Sequence, residues 1–144
     1  MILTKRDKDF LFFIENTNLI FTNQQIADIF YPAGNRKSSY MIANKRLRKM
    51  VASKYIKKMG GRFGECDIYY FETKPKQTAH KLIMSDFLAH LALNDFKIID
   101  VELEYTGFQK QYHFRPDMRV VVEYQGEKYI LLFHLANISI YNYS

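Results

Sequence analysis

Ten lysine and arginine side chains lie between residues 29 and 64, and no aspartate or glutamate accompanies them. They are Arg36, Lys37, Lys45, Arg46, Arg48, Lys49, Lys54, Lys57, Lys58 and Arg62. A solvated surface usually mixes both signs of charge, because ion pairs then form and self-repulsion falls. A run of one sign therefore predicts a polyanionic partner, whose phosphate groups these side chains would neutralise. The alternative is an ordinary basic surface.

Residue types that support catalysis or metal binding are present, but their spacing does not suit either. The four histidines, at positions 80, 90, 113 and 134, form no HExxH or CxxC-type pair. The glycine-rich segment 60–64 lacks the Lys-Ser/Thr ending of a phosphate-binding loop, and Cys66 has no histidine nearby in sequence. The sequence therefore predicts no metal site, no cofactor and no enzymatic activity.

A metal-dependent nuclease-like protein with a degenerate C-terminal site stays open as an alternative. Some such nucleases place an aspartate on one strand and an acidic-x-Lys group on the next. Asp117 suits the first position, but the second falls near residues 133–136, Phe-His-Leu-Ala, which contain no such group. Glu123 and Glu127 flank the turn between the two strands.

A helix over residues 38–53 must position most of the basic run. Apolar spacing predicts that one stripe faces the core, formed by Tyr40, Ala43, Leu47, Met50 and Val51. The opposite face is expected to present hydroxyl groups, an isoleucine and cations, contributed by Ser38, Ser39, Ile42, Lys45, Arg46 and Lys49.

Two helix starts precede this basic helix. Thr4 with Asp7 and Thr22 with Gln25 have the spacing of capping boxes. The second helix is expected to end at Tyr31, because a residue before proline is disfavoured in the helical conformation. Helix, short helix, turn and longer basic helix is the order of a helix-turn-helix unit.

A β-hairpin is predicted directly after the basic helix, with strands over 55–59 and 66–71 joined by the glycine-rich loop 60–64. A hairpin in this position is typical of the wing of a winged helix. Arg62 and Phe63 at its tip are placed to reach a DNA backbone or minor groove.

The two halves of the chain differ in charge. Residues 1–76 hold 15 basic and 7 acidic side chains, a net charge of +8, whereas residues 77–144 hold 6 and 8, a net charge of −2. The Lys74-Pro75-Lys76 segment predicts a boundary between a winged helix-turn-helix domain, residues 1–74, and an α+β module, residues 75–144. That module is expected to contain a helix over 78–93 followed by about three antiparallel strands. The fold class is therefore α+β.

Bulk composition indicates a folded protein. The chain has 144 residues, of which 48% are hydrophobic and 16% aromatic, and no apolar run approaches the roughly 18 residues of a membrane span. Neither a targeting peptide nor a membrane partner is expected, and the single Cys66 cannot form an internal disulfide, which suits a reducing cytoplasm.

The chain resembles the replication-relaxation family of plasmid and phage winged-helix proteins. The resemblance lies in residues 3–7 (LTKRD), 22–26 (TNQQI), 44–50 (NKRLRKM), 80–82 (HKL) and 115–117 (RPD). It implies a DNA-binding regulator of plasmid or phage replication, transfer or transcription. An acidic pair expected after the last strand of such proteins is replaced here by His134 and Ala136.

The sequence thus predicts a sequence-specific binder of double-stranded DNA that acts as a homodimer. Lys45 or Arg46 would contact guanine, Ser38 or Ser39 a base edge or a phosphate, and Ile42 a thymine methyl group. The phosphate contacts are assigned to Arg36, Lys37, Lys49, Lys57, Lys58 and Arg62. A competing class is a phage-encoded inhibitor that turns the basic face towards an acidic protein.

Overall fold

The computed structural model describes residues 1–60, 66–103, 116–134 and 137–143. Within these ranges the chain forms four helices and two antiparallel sheets, which confirms the α+β class. In chain order, the elements are α1 (Lys5–Thr17), β1 (Phe21–Thr22), α2 (Asn23–Phe30), α3 (Arg36–Ala52), β2 (Lys57–Met59), β3 (Ile68–Tyr70), α4 (Thr78–Leu93), β4 (Lys97–Leu103), β5 (Met118–Tyr124), β6 (Glu127–His134) and β7 (Asn137–Asn142). None of the described helices is long and apolar enough to cross a membrane.

The chain divides into two compact units, residues 1–89 and residues 90–144. The boundary that the sequence predicts at residue 74 lies inside the first unit, because the first part of α4 is bonded to that unit. The hydroxyl of Ser85 donates to the carbonyl oxygen of Ile20, and the side-chain amide of Gln25 donates to the carbonyl oxygen of Leu82 at 3.4 Å.

Side-chain caps determine where α1 and α2 begin, and both predicted capping boxes are confirmed. The Thr4 hydroxyl accepts from the Asp7 amide while the Asp7 carboxylate accepts from the Thr4 amide. Thr22 and Gln25 make the same reciprocal pair at the start of α2. Each pair satisfies backbone donors that a helix start would otherwise leave without partners.

The hairpin predicted after α3 is confirmed as an antiparallel pair, although its strands are shorter than predicted. In this pair, Lys58 on β2 lies opposite Tyr69 on β3. Strand β1 adds to the other side of β3, with Phe21 opposite Tyr69, which makes a three-stranded sheet in the order β1-β3-β2. Residues 61–65, which include the predicted tip residues Arg62 and Phe63, lie outside the described residues.

Aromatic side chains form the centre of the first unit. Phe10 and Phe13 on α1 meet Phe21 on β1 and Phe30 on α2, with ring centroids 5.3 to 6.4 Å apart and mostly edge to face. Further buried side chains come from the helices and the segment before β1, namely Ile14, Leu19, Ile20, Ile26, Leu47 and Met50.

The second unit contains a sheet in the order β4-β5-β6-β7. A two-residue turn, Gln125-Gly126, joins β5 to β6, as the sequence predicts. Strand β7 adds a fourth strand to the approximately three that the sequence predicts. The middle of the sheet is apolar and buried, with Met118, Val120, Val122 and Leu132 all almost inaccessible to solvent.

Candidate nucleic-acid interface

The exposed face of α3 is the part of the predicted site that the structure brings together. Asn35 caps this helix by accepting from the amide of Ser38 at 2.8 Å, and Ser38 itself is half-buried. One side of the helix presents six exposed residues, namely Lys37, Met41, Ile42, Lys45, Arg48 and Lys49. We call these six residues the α3 face.

The four cations of the α3 face lack an acidic neighbour in the part of the chain that the structure describes. Among the described residues, no carboxylate lies within ion-pair distance of Lys37, Lys45, Arg48 or Lys49. Four positive charges on one side of one helix repel each other in water, and that repulsion is relieved when a polyanion binds.

Two apolar residues lie within this charged face. Met41 is 62% exposed and Ile42 40% exposed. Met41 is four residues from both Lys37 and Lys45, so it lies one helical turn from each of them. The α3 face thus offers a water-exposed apolar contact with cations above and below it.

Arg46 does not belong to the α3 face, which corrects its predicted role in reading bases. Its guanidinium points into the first unit, where Nη2 lies 2.5 Å from Oδ2 of Asp7 and Nε lies 3.2 Å from both carboxylate oxygens. Nη2 also donates to the carbonyl oxygen of Ile2 at 2.8 Å. The Arg46 side chain is 19% exposed and that of Asp7 is fully buried, so Arg46 joins α3 to α1.

The carboxylate of Asp7 is the centre of a buried polar cluster. The Tyr31 hydroxyl donates to Oδ1 of Asp7 at 2.7 Å, which adds the end of α2 to the connection between α1 and α3. Burial of this carboxyl favours its neutral form, but the hydrogen bonds from Arg46, Tyr31 and Thr4 outweigh burial and lower the pKa of Asp7 from 3.8 to about 2. Burial, together with the bond to Asp7, raises the pKa of the Tyr31 hydroxyl.

Ser39 is likewise buried rather than presented to a partner, contrary to its predicted role. Its hydroxyl donates to the carbonyl oxygen of Asn35 at 3.1 Å and accepts from the amide of Ala33 at 2.9 Å. The side chain therefore stabilises the turn between α2 and α3.

Arg36 has a partner within the first unit. Its Nη2 and Nε lie 2.8 and 3.2 Å from the two carboxylate oxygens of Asp28 on α2, and this bond raises the pKa of the guanidinium. Asn23 on α2 makes a second connection to α3, donating to the Asn44 side-chain oxygen at 2.9 Å and to the Tyr40 hydroxyl at 3.4 Å. Polar bonds at both ends of α2 thus fix the position of α3.

The hairpin contributes two exposed lysines, Lys57 and Lys58, as predicted. The ammonium group of Lys57 donates to the carbonyl oxygen of Glu72 at 2.7 Å, and that of Lys58 lies 3.7 Å from the carboxylate of Asp67. Pairs as exposed as the second contribute little to stability, so a stronger anionic partner can displace Asp67.

Two residues of the α3 face, Met41 and Arg48, are not among the predicted site residues. Their positions in the helix would have revealed them, because both lie opposite the buried Ala43 and Met50 when residues advance by about 100° each.

No group of three or more histidine, cysteine, aspartate or glutamate side chains within the described residues is positioned to hold a metal ion. Asp117, on which the nuclease alternative depends, precedes β5 and donates its backbone amide to the carbonyl oxygen of Phe133 at 2.9 Å. Residues 135 and 136 lie outside the described residues.

Comparison of the chain with family models, with curated proteins and with solved structures finds no significant match. Function must therefore be inferred from the physical properties of the α3 face. An exposed helix whose cations have no carboxylate partner within the described ranges, and which carries two apolar side chains among them, suits a binding surface for a polyanion that also offers apolar groups. Duplex DNA has both, since thymine methyl groups line its major groove between two phosphate backbones.

Proposed function

We propose that the first unit is a winged helix-turn-helix that binds double-stranded DNA with the α3 face in the major groove. The observation that carries this proposal is the set of four cations on the α3 face, none of which has a carboxylate partner among the described residues. The resemblance to the replication-relaxation family favours a regulator of plasmid or phage replication, transfer or transcription.

The order of elements supports this proposal. Helices α1, α2 and α3 are followed by the β2–β3 hairpin, and β1 pairs with that hairpin. Helix-turn-helix proteins place the second helix of the motif in the major groove, and a hairpin directly after it is positioned to contact the neighbouring backbone. Here α3 would be the reading helix and β2 would supply Lys57 and Lys58 to phosphates.

The α3 face has dimensions suited to a major groove. Its cations run from Lys37 to Lys49, a distance of about 18 Å along the helix axis, and a B-DNA major groove about 12 Å wide admits a helix. Lys45, at the centre, is placed to contact guanine, and Met41 and Ile42 are placed to contact thymine methyl groups. Lys37, Arg48 and Lys49 would bind phosphates on either side.

Arg46, Arg36 and Ser39 act indirectly in this proposal. Their bonds to Asp7, to Asp28 and to the turn after α2 position α3, and none of them is assigned a contact to a base. Interactions that fix a reading helix before binding reduce the conformational entropy lost on binding.

Selection of bound sequences from a random pool of duplex DNA tests the proposal. We expect a recovered consensus whose preference at one or two positions relaxes by about 1 to 3 kcal/mol in Lys45→Ala. Lys97→Ala is the matched control, because this exposed lysine lies on β4 in the second unit. Binding to random duplex that is undetectable even at low salt would reject the proposal.

An inhibitor that binds an acidic protein is the second candidate, because the exposed Met41 and Ile42 also suit an apolar contact in a protein interface. Binding to random duplex DNA at low salt separates the two functions. A DNA reader retains a non-specific affinity that falls log-linearly with salt concentration, whereas a protein inhibitor need not bind random duplex DNA.

A further inference from the structure

Among the described strands, β7 is one edge of the four-stranded sheet, and its register against β6 determines which backbone groups point away from that sheet. The amide of Tyr143 donates to the carbonyl oxygen of Lys128 at 3.2 Å. Hydrogen-bonded pairs alternate along an antiparallel ladder, so the odd-numbered residues of β7 bond to β6. Ile138, Ile140 and Asn142 therefore direct their N–H and C=O groups outward.

The same edge exposes an apolar row that is buried further into the sheet. Val120 on β5 lies opposite Leu131 on β6, which lies opposite Ile140 on β7. Their exposures are 0%, 5% and 67%. The neighbouring row ends at Ile138, which is 45% exposed. One face of the sheet thus stays apolar as far as β7, and at β7 it meets solvent.

The two edges of the sheet differ in how they are protected from pairing. Strand β4 carries Lys97, Asp100 and Glu102, and its register shifts between Ile98 and Asp100. Charged side chains and register irregularities are how natural proteins prevent edge-to-edge association. Strand β7, with the sequence NISIYN, contains no charge and no proline, and its described pairing with β6 is continuous.

We propose that β7 pairs in antiparallel fashion with β7 of a second copy of this chain, about a two-fold axis at Ile140. In this register Ile140 opposes its own copy and Ile138 opposes Asn142, so every outward N–H and C=O group of these three residues gains a partner. Because the strand is neutral, its copy brings no like charge opposite it. The protected β4 edge ends the assembly at two copies, which gives a closed dimer and not a fibre.

Pairing of two edge strands buries less area than the roughly 1,600 Å² of a standard interface, so we expect a weak dimer in solution. The pairing does not require DNA binding. If the proposed DNA-binding function holds, a dimer carries two copies of the α3 face and predicts a consensus with two half-sites. Association is therefore measured without DNA, so that failure of either proposal can be told from failure of the other.

A cysteine at the proposed axis tests the pairing directly. Directly opposed residues of a hydrogen-bonded pair have Cα atoms about 5.5 Å apart, a separation that a disulfide spans. In a Cys66→Ser background, we expect Ile140→Cys to form a disulfide-linked dimer on mild oxidation. Ile99→Cys is the matched control, since Ile99 is 43% exposed on the opposite edge strand. Equal cross-linking of both variants would overturn the proposal.

Sedimentation equilibrium over a protein concentration series gives a second test, with circular dichroism and thermal melting to confirm that each variant folds. Ile140→Lys opposes two like charges across the axis, so we expect the dimer association constant to fall by about tenfold or more, while Ile99→Lys leaves it unchanged. A wild-type chain that stays monomeric throughout the series, or equal losses in the two variants, would contradict pairing through β7.

Discussion

The carboxylate of Asp7 and the guanidinium of Arg46 meet inside the first unit, with Oδ2 and Nη2 2.5 Å apart, although 39 residues separate them in the chain. This pair connects the capped start of α1 to the middle of α3. A buried carboxylate with an arginine, a tyrosine and a backbone amide around it is satisfied only while α1, α2 and α3 keep their positions. The same helix that presents cations to solvent is thus fixed from behind by another cation.

Removing the charge of Asp7 should destabilise the first unit strongly. Asp7→Asn keeps the shape of the side chain but leaves the Arg46 guanidinium without its counter-ion, and we expect a loss of about 3 kcal/mol in the free energy of unfolding. Asp9→Asn is the control, because Asp9 forms an exposed pair with Lys5 and should change stability by less than about 1 kcal/mol. Urea unfolding of both variants measures the difference. Similar losses would show that the buried pair of Asp7 and Arg46 contributes no more stability than the exposed pair of Asp9 and Lys5.

The low pKa of Asp7 predicts acid sensitivity in a defined range. Its folded pKa of about 2 lies below the ordinary aspartate value of 3.8, so the carboxylate contributes stability that is complete above pH 3.8 and is lost as the pH falls through about 2. The shift corresponds to about 2 kcal/mol. Urea unfolding over a series of acidic pH values should show the stability gap between wild type and Asp7→Asn shrinking by about that amount. A gap that is independent of pH would refute the assigned pKa.

Alanine substitution should affect stability at Arg46 and DNA binding at Arg48, although the two residues lie close together in sequence. Arg46→Ala should lower the melting temperature because Asp7 loses its ion-pair partner. Arg48→Ala should leave stability nearly unchanged, as surface substitutions do. It should also weaken DNA binding and reduce the slope of log affinity against log salt by about 0.9. Thermal melting and DNA titrations at several salt concentrations measure both effects, and loss of stability in Arg48→Ala would contradict its placement on the α3 face.

The sequence alone could have predicted that Arg46 lies on the buried side of α3, unlike its exposed neighbours. With about 100° per residue, Ser39 and Arg46 fall in the same sector of the helix as Ala43 and Met50, and that sector is the buried one. What the sequence could not show is the partner. A cation on the buried side of a helix requires a carboxylate, and neither spacing nor composition says that Asp7, in another helix, supplies it.

Local signals predicted the elements more reliably than the division into units. The Thr22 and Gln25 capping box begins α2 where predicted, because reciprocal hydrogen bonds three residues apart depend on local sequence alone. The unit boundary depends on which surface α4 covers. The bond from Ser85 to the Ile20 carbonyl places the first part of that helix in the first unit, and such a contact across 65 residues has no local signature.

Alanine substitution should have opposite effects on stability at two exposed glycines, Gly126 in the turn between β5 and β6 and Gly34 before α3. Gln125 and Gly126 have φ values of 51° and 81°, as a two-residue hairpin turn with both residues left-handed requires. Gly126→Ala should therefore cost about 1 to 2 kcal/mol, although open space surrounds the added methyl group. Gly34→Ala also meets open space, without a positive φ, and should leave stability unchanged or slightly raised.

Gln125→Asn completes this comparison, because asparagine tolerates the left-handed conformation better than glutamine, and it should raise the free energy of unfolding by about 0.5 to 1 kcal/mol. Unfolding by urea, monitored by circular dichroism, measures all three variants, because this signal reports on the first unit, which contains Gly34, as well as on the second. If Gly34→Ala costs as much stability as Gly126→Ala, the positive φ at Gly126 does not explain the cost of substituting that glycine.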